Sequence, residues 1–239
     1  MREFIKGFTL AEVLITLLII GVISSLVIPA LISQTNNAEI ATKVIKYQSV
    51  LQQAVMNYKT QNTYSSLTDS PLSSDFDNVN GWNSFKTQLN LVKDCGTAIG
   101  FDCFANVTYK RLNGTDEGNY NNYAIVGRGI LQDGSSIGYE AKSYCSTNRS
   151  INNSGPLYNS NCAFVYIDVN GFKPPNKVGR DVFGWYIMRN GMVYSMGSLD
   201  DTYSGCDPSS SDIAAGTDGA PGSGLGCTAK VLQEGKISY

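Results

Sequence analysis

Residues 13–32 form an unbroken run of twenty residues without a single charge, in which Thr16, Ser24 and Ser25 are the only polar members. As a helix rising roughly 1.5 Å per residue, such a run covers about 30 Å, the thickness of a bilayer's hydrocarbon core. Arg2 and Lys6 precede it. The positive-inside rule therefore places the amino terminus in the cytoplasm and the bulk of the chain outside it. A cleaved secretory signal is the simpler reading of such a start, but its apolar region is usually shorter, roughly 7–15 residues, and ends at an A-x-A-like site. Here Val27-Ile28-Pro29-Ala30, near the end of the run, lacks such a site. Glu12 also stands at its cytoplasmic edge. An acid at mid-bilayer costs about 2.5–3.5 kcal/mol, so Glu12 calls for a partner or for a place at the headgroup interface.

The residues around that acid, Gly7-Phe8-Thr9-Leu10-Ala11-Glu12-Val13-Leu14, resemble the prepilin signal of type IV pilins and of the pseudopilins of type II secretion systems. The resemblance implies cleavage after Gly7 by a membrane prepilin peptidase, which removes a leader of residues 1–7, and N-methylation of the new terminus at Phe8. An α-amino group there has an ordinary pKa of about 7.7–8.0 and is largely cationic. In the family, Glu12 of an incoming subunit then meets the Phe8 amine of its neighbour, which fixes register as subunits leave the membrane. Pro29 matches a proline that such proteins often carry. In a helix interior it removes a backbone donor, so a bend or local melting is expected there, or simply a kink that a membrane helix tolerates.

Beyond the apolar run, Ile40, Val44, Tyr47, Leu51, Ala54 and Tyr58 recur at steps of three and four, while Lys43, Lys46, Gln53 and Asn57 lie opposite. This is an amphipathic stripe, and it predicts one helix over residues 8–60, with a membrane half at about 13–32 and a half packed on a globular domain. Residues 62–77 read as loop, and a short helix is expected over residues 82–92, with Trp82, Phe85, Leu89 and Val92 on one face. Period-two runs follow. Residues 123–126 and 129–131 lead into Asp133-Gly134, read as a type I′ turn, and return through residues 136–139; residues 163–167 are apolar; residues 183–188 and 192–194 flank Asn190-Gly191. The expected fold is α+β: a long N-terminal helix on an antiparallel sheet of four or five strands, pilin-like, with residues 61–239 as an extracytoplasmic domain whose loops are stapled by disulfides.

The six cysteines, at 95, 103, 145, 162, 206 and 227, all follow the apolar run. In an oxidising compartment they pair, and although six allow fifteen connectivities, sequential pairing (Cys95 with Cys103, Cys145 with Cys162, Cys206 with Cys227) brackets three loop-rich stretches. A zinc site is disfavoured because no C-x-x-C spacing occurs. The chain has no histidine, which removes the commonest general base and the Ser-His and Cys-His nucleophile pairs, and its 18 basic and 20 acidic residues create no global field. No catalytic residue is assigned and no enzyme is expected. Two places offer hard oxygen ligands for calcium: Asp168 and Asn170, with Asn176 and Asp181 beyond them, and a stretch over residues 198–229 holding Asp200, Asp201, Asp207, Asp212 and Asp218 without a lysine or arginine; the alternative is an ordinary turn between strands at the first and, at the second, a solvated Gly/Ser/Asp loop stapled by Cys206. The first departs from an EF-hand because Gly171 comes too early and no final glutamate follows. The second falls near the C-terminus, where the resemblance to major pseudopilins implies a calcium loop. No other cofactor is expected.

The resemblance implies a filament subunit anchored in the inner membrane and then assembled into a periplasmic or cell-surface fibre. Its partners are the prepilin peptidase, other pilin or pseudopilin subunits, an inner-membrane assembly platform and, before assembly, the lipid bilayer. The alternative is a minor pilin acting as an adhesin or as a DNA- or glycan-binding tip module, which the 14 tyrosines would suit if they were exposed.

Overall fold

The structure is a computed structural model that describes residues 7–73, 78–100, 103–122, 127–142, 145, 160–198, 206–211 and 222–239. The chain divides into two compact units, Met1–Glu39 and Ile40–Tyr239. Helix α1, Leu10–Gln61, contributes to both. In the first unit it is apolar all round: its best 18-residue window has a mean hydropathy of 2.7 with none of it buried, and it is long and apolar enough to cross a membrane. The helix runs unbroken through Pro29, so the local melting expected there is not seen. One absent amide donor leaves the hydrogen bonds on either side in place.

In the second unit the stripe is buried as its spacing predicts, with Val44, Tyr47, Leu51, Ala54 and Tyr58 joined by Ala41 and Val55. The opposite edge is less free than its polarity suggests. Lys43 donates to the Val169 carbonyl (2.9 Å) and Lys46 to Asp133 (2.8 Å). Helix α2 covers Asn78–Phe85, with Trp82 and Phe85 fully buried. It ends there, short of the residue 92 expected. A 3-10 turn at Lys86–Gln88 follows, Leu89 turns extended, and Val92, an intended core residue, is exposed on a strand.

That strand, β1 (Leu91–Gly96), is the outermost of a six-stranded antiparallel sheet rather than one of four or five. Chain order continues with β2 (Tyr109–Lys110) and β3 (Asp116–Gly118), a separate small hairpin, then β4 (Gly127–Leu131), β5 (Ser136–Ala141), β6 (Asn161–Asp168), β7 (Val182–Met188) and β8 (Val193–Ser195). The sheet order is β1-β4-β5-β6-β7-β8. The strand expected at residues 123–126 lies outside the described residues. Both expected hairpins form, but with a different turn. Gly134 (φ 83°) takes a left-handed backbone while Asp133 does not, and its N–H donates to Leu131 while the Leu131 N–H donates to Ser135. This is a type I turn closed by a left-handed glycine, not type I′, which needs two positive φ values.

Alternation along β6 and β7 gives the sheet two apolar faces. Val165, Ile167, Phe183, Trp185 and Ile187 meet α1 and α2, while Phe164, Tyr166, Val182 and Tyr186 meet Phe104, Tyr109 and Tyr120. Sequence reading did not foresee the second layer. It also assigned no helix to the C-terminal region, where α3 (Cys227–Glu234) closes on the sheet through Thr228, whose hydroxyl accepts the Gly184 N–H at 2.9 Å. The disulfides join Cys95 to Cys103, Cys145 to Cys162 and Cys206 to Cys227, the sequential pairing expected. By constraining the unfolded chain, each bridge of this kind contributes about 2–4 kcal/mol.

Candidate functional site

The first candidate is the entry to α1. Gly7 has nothing within 4 Å of where a Cβ would stand, and Phe8 is 88% exposed. Thr9 caps the helix: its carbonyl takes the first helical bond, from the Val13 N–H, and its hydroxyl accepts the Glu12 N–H (3.2 Å). Glu12 reaches back, and its Oε2 accepts the Thr9 N–H (2.8 Å) and hydroxyl (2.9 Å). This reciprocal arrangement is a capping box, T-x-x-E, which satisfies amides that a helix start otherwise leaves orphaned. Its spacing was legible in the sequence and went unused, because Glu12 was read only as a charge seeking an amine or the headgroup interface. Oε1 accepts no hydrogen bond among the described residues, so one oxygen is held by the cap and the other stays open. The site brings Phe8, Thr9 and Glu12 into a single turn; Pro29 sits further along the same helix and has no contact with them.

The second candidate is the loop between β6 and β7. Asp168, the last residue of β6, and Asp181, just before β7, are both fully buried. Asp168 Oδ2 accepts the Tyr109 hydroxyl (2.8 Å), and its Oδ1 accepts the Asn170 N–H (3.3 Å). Asp181 accepts the N–H groups of Asn176 and Lys177, both at 2.6 Å, and the Asn170 amide at 3.4 Å. Burial, reinforced by the Asp181 charge, pushes Asp168 well above the usual carboxylate range, and burial raises Asp181 to about 6 despite its hydrogen bonds. The neighbouring Tyr109 phenol is raised too, first by burial and then by the Asp168 charge.

Of the other acids named as calcium ligands, Asp200, Asp201, Asp212 and Asp218 lie outside the described residues. Asp207 is described, and it serves a turn, accepting the Ser209 N–H (2.8 Å) and hydroxyl (2.7 Å). Among the described residues no group of three or more cysteine, aspartate or glutamate side chains gathers as a metal cluster.

The aromatic side chains bear on the binding-module alternative. Tyr47, Tyr58, Tyr109, Tyr120, Tyr139, Tyr166 and Tyr186 are buried, as are both tryptophans; among the described aromatic residues only Phe8 and Phe172 are exposed. The described surface therefore carries no aromatic platform on which a base or sugar ring could stack.

Compared with known proteins, the chain matches no protein-family model, and no curated protein or solved structure is significantly similar to it.

Proposed function

We propose that the protein is a structural subunit of a type IV pilin-like filament, most closely of the pseudopilus kind, processed after Gly7 and assembled through α1. One observation carries the reading: the segment Gly7-Phe8-Thr9-x-x-Glu12 opens, through its cap, directly into an uninterrupted helix of 52 residues that is apolar and unburied over its first half. A surface of that kind is stable in lipid or against copies of itself, and in water it would aggregate. The burial of seven of the ten described tyrosines, with none of the other three exposed, favours a subunit whose domain is a tile over a ligand-binding tip.

The chemistry at the helix entry supports an exchange of partners. Cleavage leaves a cationic amine on Phe8, next to the capped Thr9 and one turn from Glu12. Glu12 keeps Oε2 on its own cap while Oε1 remains available to the amine of a neighbouring subunit, so assembly need not dismantle the helix start. In a low-dielectric bundle an acid without its counter-charge is heavily penalised, which makes this contact selective for register.

Substitution separates the two duties of Glu12. Glutamine at this position of a capping box still closes it, so Glu12→Gln should leave helix and processing intact yet remove the subunit from the sheared-filament fraction, whereas Glu12→Ala should lose cap and assembly together. Filament incorporation of Glu12→Gln at the wild-type level would contradict the proposed role.

A further inference from the structure

Helix α1, the residues entering β1 and the β4–β5 turn enclose a cleft of about 420 Å³. Its floor is aliphatic, with Val50 and Ala54 from the helix and Leu131 from the sheet, and its rim is neutral, with Gln53 and Asn57 on one wall and Asn90 and Gln132 on the other. The two charges that line it, Lys46 and Asp133, are spent on each other at one end (2.8 Å). At the other end Gln88 Nε2 donates to Gln61 Oε1 (2.9 Å). Between these ends, the four rim carboxamides make no hydrogen bond among the described residues, although each carries donors and an acceptor side by side. Such a lining offers no charge to an anion or a metal ion. It offers no ring to a sugar either, because Tyr47, its one aromatic side chain, is buried with its hydroxyl on Asp133. What it matches is an uncharged aliphatic side chain flanked by peptide groups.

The same domain presents that feature past the other end of β1. Thr97, Ala98, Ile99 and Gly100 follow the strand without a charge, and Ile99 stands 74% exposed; among the described residues of Ile40–Tyr239 no large apolar side chain is more so. The backbone groups of Thr97, Ile99 and Gly100 make no hydrogen bond among the described residues. Their loop is nonetheless held in shape, by the disulfide from Cys95 to Cys103 and by Arg128 Nη1, which donates to the Ala98 carbonyl (2.9 Å). A knob fixed in advance loses little freedom on docking. It does not reach the cleft of its own molecule: Asn90 precedes β1 and Thr97 follows it, with six strand residues, or about 20 Å, between them.

We propose that Ile99 of one subunit enters this cleft on a second copy of the chain, seated on Val50, Ala54 and Leu131, with the rim carboxamides taking up the loop's free peptide groups. The two patches are different surfaces of one domain, so the contact is heterologous, and its repetition builds an open array instead of a closed dimer. One side chain in one cleft binds weakly. The contact takes effect when α1 already holds subunits side by side, at a local concentration of about millimolar. In that sense the inference rests on the filament reading and adds to it a contact between globular domains.

The first test uses the full chain in detergent, unassembled. A peptide of residues 95–103, closed by its own disulfide, should shift the side-chain amide resonances of Gln53, Asn57, Asn90 and Gln132 saturably. The same peptide carrying Ile99→Asp should bind at least about tenfold more weakly, the loss expected when a buried isoleucine is withdrawn. In cells, p-benzoylphenylalanine in place of Ile99 should cross-link subunits to residues 46–57 or 131–133 of a neighbour. Because Ile99 is so exposed, the Ile99→Asp chain should melt as wild type does yet enter filaments poorly, and adding Gln53→Lys, which sets a cation on the rim, should restore its entry. Four unmoved resonances would overturn the proposal, and so would cross-links that map elsewhere or wild-type incorporation of Ile99→Asp. The titration needs neither processing nor assembly, so the two readings fail separately. Peptide binding in a chain that forms no filament supports the cleft and removes the filament, whereas filaments whose cross-links avoid the cleft remove this contact alone.

Discussion

The Asp133 carboxylate sits where the β4–β5 turn meets α1, and its surroundings set how this part of the protein responds to acid. Partial burial opposes its ionisation, yet hydrogen bonds from Lys46, the Tyr47 hydroxyl (2.6 Å) and the Ser135 N–H (3.1 Å) prevail and hold it well below the usual carboxylate range. A group whose folded pKa lies below its unfolded value adds stability that is complete above the unfolded value, about 3.9, and is lost as pH falls through the folded one. Thermal unfolding between about pH 5 and pH 2 should therefore show a fall in midpoint that Asp133→Asn flattens. The Lys46 pair is half exposed and contributes at most about 1 kcal/mol. The Tyr47 hydroxyl is the stronger partner because it is buried, and Tyr47→Phe should cost about 1–2 kcal/mol at neutral pH, read from the same melts. Of these residues, the sequence announced Tyr47 as core and Asp133 as turn. That they touch depends on the docking of α1 across the sheet, a long-range relation that no local pattern encodes.

Among the elements, those with a strong internal period were readable and those held by outside contacts were not. The stripe from Val44 to Tyr58, strands β6 and β7, and the two hairpins declared themselves because their apolar spacing matches one face of a helix or a pleat. Strand β1 has no alternation, its exposed Val92, Lys93 and Asp94 following one another, and it exists through its pairing with β4, interrupted by two register shifts. Helix α3 is eight residues long and is positioned by Cys227 and Thr228 more than by propensity. The same holds for the sheet's far edge. Gln52 of α1 mimics a strand there, accepting the Val193 N–H (2.9 Å) and donating to the Gly191 carbonyl (3.0 Å), a role invisible in a residue that reads as surface polar. Gln52→Ala should destabilise the β7–β8 hairpin by about 1–2 kcal/mol, seen as faster amide exchange at Val193 before any global loss. Packing of α2 on β4 permits a second test. A Cβ on Gly127 would fall 2.1 Å from the buried Trp82 ring, so Gly127→Ala should lower stability by about 1–3 kcal/mol, with a shift in tryptophan fluorescence marking the displaced ring.

At the scale of the molecule, an apolar helix long enough to cross a membrane is followed by a disulfide-bonded α+β domain, the combination on which the proposed filament assembly rests. The eight residues from Gly7 to Leu14 carry that assignment, and the cap at Thr9 and Glu12 gives them a physical role in starting the helix. The loop between β6 and β7 was half legible: Asp168, Asn170, Asn176 and Asp181 were visible as oxygen-bearing side chains, but only the fold shows the two acids fully buried and the Oδ1 atoms of the two asparagines without a hydrogen-bond donor. The central claim is processing at Gly7. Intact mass and N-terminal sequence of the protein from membranes of cells with and without a prepilin peptidase test it most directly, with Gly7→Ala in parallel. The account predicts a chain beginning at methylated Phe8 in wild-type cells, absent from both the peptidase-free cells and the variant; a terminus at Met1, or one beyond Ala30, in wild-type cells would contradict it.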